Sequence, residues 1–152
     1  MTDLSDHAKN LLARALCARL PSLPAAVWAG LGTGGTDAAG LTGEPAGTGY
    51  ARQRVTFTGT GAQRNAEAIH FIFTAAAGTM THIGLFDAAS GGNPLTWSPL
   101  TTPLTVAGPG TATLTGNALR ARLEIHVWAV RRSRFPPMAT SIMAFEMSMR
   151  AS

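Results

Sequence analysis

The first apolar positions of the chain recur at helical spacing. Leu4, Ala8, Leu11, Leu12, Ala15, Leu16 and Leu20 lie three or four residues apart, which places them on one face. The spacing predicts one amphipathic helix over 4–20. Asp3 or Ser5 can cap its start. Pro21 and Pro24 end it, because proline lacks the amide hydrogen that a helix uses. Lys9, Arg14 and Arg19 lie off the stripe, and Cys17 reads as a small buried packing residue.

The period then changes. Residues 25–31 (AAVWAGL) form an apolar run of strand length, and 32–49, rich in Gly, Thr and Ala, predict a long surface loop. From Tyr50 onward the residues alternate. Arg52, Arg54, Thr56 and Thr58 face away from Ala51, Val55 and Phe57, with Gln53 breaking the apolar side. In 66–74, Ala66, Ala68, His70 and Ile72 share one face, and Glu67, Ile69, Phe71 and Phe73 the other. Residues 79–86 set Ile83 and Leu85 together, and 87–93 (DAASGGN) is a turn cluster. Further short strands are predicted over 95–100, 104–106, 111–115 and 119–125. Turn signals at about 8–12-residue spacing point to a sandwich or barrel. No helical pattern separates the later strands, and parallel pairing needs long crossovers. The expected fold is mainly β: an antiparallel, jelly-roll-like β-sandwich preceded by one N-terminal helix. The expected organisation is helix and linker at 1–24, sandwich at 25–125, and a C-terminal extension at 126–152 that docks on a partner.

Composition sharpens this picture. Charged residues are 13% of the 152, against about 25% for a typical soluble protein. Lys9 is the only lysine, and the other eleven cations are arginines. A GC-rich genome would produce that bias, and so would use at interfaces, where Arg is enriched and Lys depleted. Surfaces poor in charge tend to associate, so an assembly subunit is expected. No apolar window reaches the length of a membrane span, so no membrane insertion is expected. The acidic start predicts no secretory signal. Cys17 stands alone, which excludes an internal disulfide and a cysteine zinc site.

Candidate chemistry is sparse. The run 30–35 (GLGTGG) matches a dinucleotide-binding motif in letters only, because the glycines and proline that follow do not suit the helix the motif requires. His7, His70, His82 and His126 share no metal-ligand spacing, and His82 reads as a packed, hydrogen-bonded histidine. Asp87 sits in a turn where its side chain accepts backbone hydrogen bonds. No acid pair has a spacing that suggests a glycosidase; only convergence of Asp87 with Glu67 or Glu124 would revive a glycan-cleaving enzyme. No cofactor, no metal and no catalytic residue is expected. The densest basic patch is Arg131, Arg132 and Arg134 beside Trp128 and Phe135. It fits a nucleic-acid grip, a solvated turn, or salt bridging to an acidic protein partner. Three arginines offer few phosphate contacts, which argues against nucleic acid. Together with Arg52 and Arg54, these five are the candidate partner-contact residues.

Three stretches carry a resemblance: LSDHAKNLLARAL, then GTGYARQRVTF, then THIGLFDAASGGNPLTWSPLTTPLTVAGPGTATLTGNALRARLE. They resemble a family of small tailed-bacteriophage virion proteins labelled phage tail fibre or minor capsid protein, over residues 4–125. Gly49, Tyr50 and Arg52 match its first motif; His82, Gly84, Phe86, Asp87, Gly91 and Gly92 match its second. The resemblance implies a non-enzymatic structural role in a virion assembled in the bacterial cytoplasm. The expected partners are copies of the chain itself, as a homo-oligomer such as a trimer, and other virion proteins such as the major capsid or tail proteins. Capsid decoration is the leading expectation, and a tail or fibre component reaching the host surface is the alternative. The segment 126–152 lies outside the resemblance.

Overall fold

A computed structural model describes residues 3–121, 123–126 and 148–151. A two-residue strand, β1 (Asp3–Leu4), leads into the only helix among the described residues, α1 (Asp6–Leu16). Ser5 caps it: its hydroxyl oxygen accepts from the Ala8 amide at 3.1 Å. The same hydroxyl donates to the Pro94 carbonyl, so the cap also ties the helix to the sheet. The helix is shorter than the apolar stripe. It stops at Cys17, where Ala18 and then Leu20 enter the left-handed region at φ 55° and 43°. Ala8 is its buried residue, Leu11 and Leu12 are half-buried, and Leu16 is exposed. Cys17, expected to be buried, is exposed as well. The helix packs through its first two turns, and the rest of its stripe runs beyond the sheet.

Thirteen further strands follow among the described residues. They are β2 (Val27–Gly32), β3 (Gly34–Thr36), β4 (Gly40–Thr42), β5 (Gln53–Val55), β6 (Phe57–Thr58), β7 (Gln63–Asn65) and β8 (Ile69–Phe73). After them come β9 (Gly78–Phe86), β10 (Pro94–Val106), β11 (Gly110–Leu114), β12 (Arg120–Ala121), β13 (Leu123–His126) and β14 (Ser148–Ala151). The main sheet has the order β1-β10-β9-β2-β5, and every strand pair in it is antiparallel. β8 pairs with β11, and β12-β7-β6 form a third small sheet. The architecture is mainly β, antiparallel, with one helix, and is consistent with the expected jelly-roll-like sandwich. Residues 95–100 and 104–106, read as two strands, belong to one, and the gap between them is a register shift between Pro99 and Leu104. Leu123–Ala151 through His126–Ser148 pair antiparallel.

The core lies between the main sheet and the β8–β11 pair. Ala29 and Leu31 of β2, Val55 of β5, and Met80, Ile83 and Leu85 of β9 pack with Ile69, Phe71 and Phe73 of β8. The two-residue period of β8 is therefore obeyed: its odd positions are buried and His70 and Ile72 are exposed. β9 breaks the alternation at its end, where Ile83 to Phe86 are all buried. Both faces of the sheet are covered there.

Glycine makes that second cover fit. Gly30 and Gly84 are register partners across β2 and β9. A Cβ on Gly84 would sit 2.7 Å from Leu41 Cβ, one on Gly30 3.2 Å from Leu41 Cδ2, and one on Gly32 2.9 Å from Leu41 Cγ. Three bare positions thus form a trough that the buried Leu41 of β4 fills. The stretch 32–49, expected to be an irregular surface loop, carries the β3–β4 hairpin that lies in this trough. Its sequence hid this because the strands are three residues long and rest on backbone, not on an apolar stripe.

The core register is testable by denaturant unfolding. Phe71→Ala is expected to cost about 3–5 kcal/mol, and its neighbour Ile72→Ala less than about 0.5 kcal/mol beyond its propensity effect. Similar losses at both positions would contradict the buried face assigned to β8.

Candidate functional site

The two motifs of the family resemblance meet at Arg52. Its guanidinium donates from Nε to both Glu44 carboxylate oxygens, at 2.9 and 3.1 Å, and Nη2 lies 2.9 Å from Oε1. Nη1 donates to the carbonyls of Gly91 (2.8 Å) and Ala88 (3.3 Å). The guanidinium carbon stands 3.3 Å above the Phe86 ring centroid. Planarity lets one arginine do all three: fork a carboxylate, hold a loop, and stack on a ring. The alternation put Arg52 on an outward face, but β5 begins only at Gln53, so the strand period does not govern it. Arg52 was a candidate partner contact; its side chain is 12% exposed and fully engaged within the fold.

Tyr50 anchors the same segment. Its hydroxyl oxygen accepts from the Leu31 amide at 2.7 Å, and its ring stacks on Phe71 and Phe73 at 6.1 and 5.9 Å. Burial, reinforced by the Glu44 carboxylate, pushes its hydroxyl above the ordinary tyrosine pKa. Gly49, just before it, has φ +73° and abuts Thr74.

Arg52 positions the loop 87–93. Asp87 closes that loop: Oδ1 accepts the Asn93 amide at 2.6 Å and Oδ2 accepts Asn93 Nδ2 at 2.8 Å. Gly91 and Gly92 turn the chain between them at φ +61° and +68°, where a side chain is disfavoured. Partial burial pushes the Asp87 carboxyl up. The Asn93 hydrogen bonds and the nearby His7 outweigh it, and its pKa lies below the ordinary value. His82 is packed and hydrogen-bonded as expected: its ring lies 6.0 Å from Trp97, and Nδ1 is 2.8 Å from Thr81 Oγ1.

A second junction sits at the hairpin tip. The Asp37 carboxylate takes the lone lysine, Lys9, and accepts from Trp97 Nε1 at 3.1 Å, while the Asp37 carbonyl accepts the Asp6 amide at 2.8 Å. Lys9 and Trp97 together hold its pKa below the ordinary range despite partial burial. Asp37, Glu44 and Trp97 were not singled out by sequence reasoning; acids scattered in a glycine-rich stretch carry no local signal of what they meet.

The loop, the helix and the turn after it enclose a groove of about 360 Å³, lined by His7, Asn10, Leu11 and Arg14, residues 21–24, and Asp87 with Asn93. Of the other candidate residues, Arg54 is exposed on β5, opposite Trp28 in register. Trp128, Arg131, Arg132, Arg134 and Phe135 lie outside the described residues. Glu67 lies in the turn before β8 beside Asn65 and Thr115, and no contact with Asp87 is seen. No group of three or more His, Cys, Asp or Glu suited to a metal occurs among the described residues.

The family described as Podophage GP4 fiber I protein gp80 matches the chain over residues 3–122. No curated protein matches it. The matched stretch spans the helix, the hairpin and both motifs that meet at Arg52.

Asp37 and Asp87 give a pH prediction. Both carboxyls have folded pKa values below the ordinary 3.8, so their stabilisation is complete well above that value. It is lost as pH falls through the lowered folded values. Denaturant midpoints are expected to decline as pH drops below about 4, and Asp37→Asn to flatten that decline. An unchanged slope in Asp37→Asn would contradict the junction.

Proposed function

The chain belongs to the family of the podophage GP4 fiber I protein gp80, and on that premise we propose that it is a non-enzymatic structural subunit of a tail fibre in a tailed-phage virion. The family match over residues 3–122 is the observation that supports this most. The expectation of capsid decoration rested on a charge-poor surface, and that property suits any densely contacting virion subunit. The match shifts the preference to the fibre.

The attachment mechanism is burial of apolar surface. Leu16 and Leu20 are 65% and 90% exposed. Leu16 is on the outer end of α1, and Leu20 lies just after it. Burying a leucine side chain contributes about 1.5–3 kcal/mol, so these two side chains supply part of what a specific contact needs. Copies of the chain and neighbouring virion proteins are the proposed partners. Arginines such as Arg54 set register at the rim, and the segment 126–152 adds a docking element.

Immunogold electron microscopy of whole particles tests the location. Label along the tail fibres is expected, and label spread over the shell would favour decoration. Leu16→Asp with Leu20→Asp is expected to leave the fold intact by circular dichroism and to lower incorporation into particles. Normal incorporation of that variant would contradict apolar docking through this surface.

A further inference from the structure

The groove beside α1 has a composition that the structural role does not explain. His7, Asn10 and Arg14 recur at helical spacing of three and four, forming one polar stripe that faces it. Asp87 and Asn93 approach from the opposite side on a loop that Arg52 holds from behind. Asn10 and Arg14 have no hydrogen bond or ion pair through their side chains to any described residue. His7 is linked only by the field it exerts on Asp87. Leu11, Pro21, Leu23 and Pro24 supply an apolar wall. A volume of about 360 Å³ falls within the range of small-molecule clefts.

The pattern of donors and acceptors selects the ligand. Arg14 opposes a cation, and the Asp87 carboxylate opposes an anion. Arg14 donates only, the carboxylate accepts only, and each Asn amide does both. A ligand that satisfies all of them carries several groups that each donate and accept, and one carbon face for the apolar wall. Hydroxyl groups on a saturated ring have that chemistry. We propose that the groove between α1 and the 87–93 loop binds one neutral sugar ring of a glycan. Asp87 accepts from adjacent hydroxyls, Arg14 and Asn10 donate to ring substituents, and Leu23 with Pro24 lies against the C–H face. The loop needs no rearrangement for this, since Asn93 already holds the carboxylate and Arg52 holds the Ala88 and Gly91 carbonyls.

The test is a titration of the full-length chain with D-glucose, D-galactose and N-acetyl-D-glucosamine, followed by backbone amide chemical shifts. At least one sugar is expected to give saturable shifts confined to residues 7–14, 21–24 and 87–93, with Kd on the order of 1 mM. Arg14→Ala, at a position without a folding partner, is expected to weaken that binding about tenfold by removing a charged hydrogen bond. No saturable shift with any of the three would overturn the proposal. So would shifts that Arg14→Ala leaves unchanged, or a response to inorganic phosphate or glycine with none to the sugars. Arg14→Ala is expected to enter particles normally, so a failure of sugar binding and a failure of the fibre reading are separately visible.

Discussion

A guanidinium that is 12% exposed cannot be left partly satisfied, and the arrangement around Arg52 follows from that constraint. Removing a charge from water costs several kcal/mol unless partners replace the water. Here Glu44 takes one edge, the carbonyls of Ala88 and Gly91 take the other, and Phe86 covers a face. Each partner comes from a different piece of chain: the end of the hairpin segment, the 87–93 loop, and the last residue of β9. One side chain therefore ties the end of the hairpin segment and the 87–93 loop to the core strand β9.

The second cover of the main sheet depends on a different economy, that of backbone proximity. Gly30, Gly32 and Gly84 leave no side chain under the hairpin, so Leu41 packs on bare sheet and Asp37 reaches α1 and Trp97. The sheet thereby carries its main core on one face and the hairpin on the other. The groove forms between α1, residues 21–24 and the 87–93 loop. The outer turn of α1 projects past it with leucines that nothing in the described chain covers. Two ion pairs, Lys9–Asp37 and Arg52–Glu44, tie the hairpin segment to its neighbours on this face.

Much of the fold was legible. The buried face of β8, the capping Ser5, the turn at 87–93 and the hydrogen-bonding roles of Asp87 and His82 follow from period and turn chemistry, which are local. Three things were not legible, for one shared reason. The hairpin inside 32–49, the inward turn of Arg52 and the early end of α1 are decided by what comes close in space. A glycine trough reads in sequence as a loop or as a false phosphate motif. An arginine one residue ahead of a strand reads as part of its alternation. A leucine stripe reads as buried whether or not the helix extends past the sheet it packs on. The two motifs behind the family resemblance were visible as letters, and their meaning is the contact between them.

Arg52 holds the 87–93 loop, and through it one side of the groove. Amide hydrogen exchange on Arg52→Lys measures this most directly. Lysine keeps the charge but loses the fork and the planar stack. Faster exchange is expected at the Asn93 amide and in the hairpin, with protection retained in β8 and the β2–β9 pairing. Unchanged protection at Asn93 would contradict it, because the loop would then stand without the arginine.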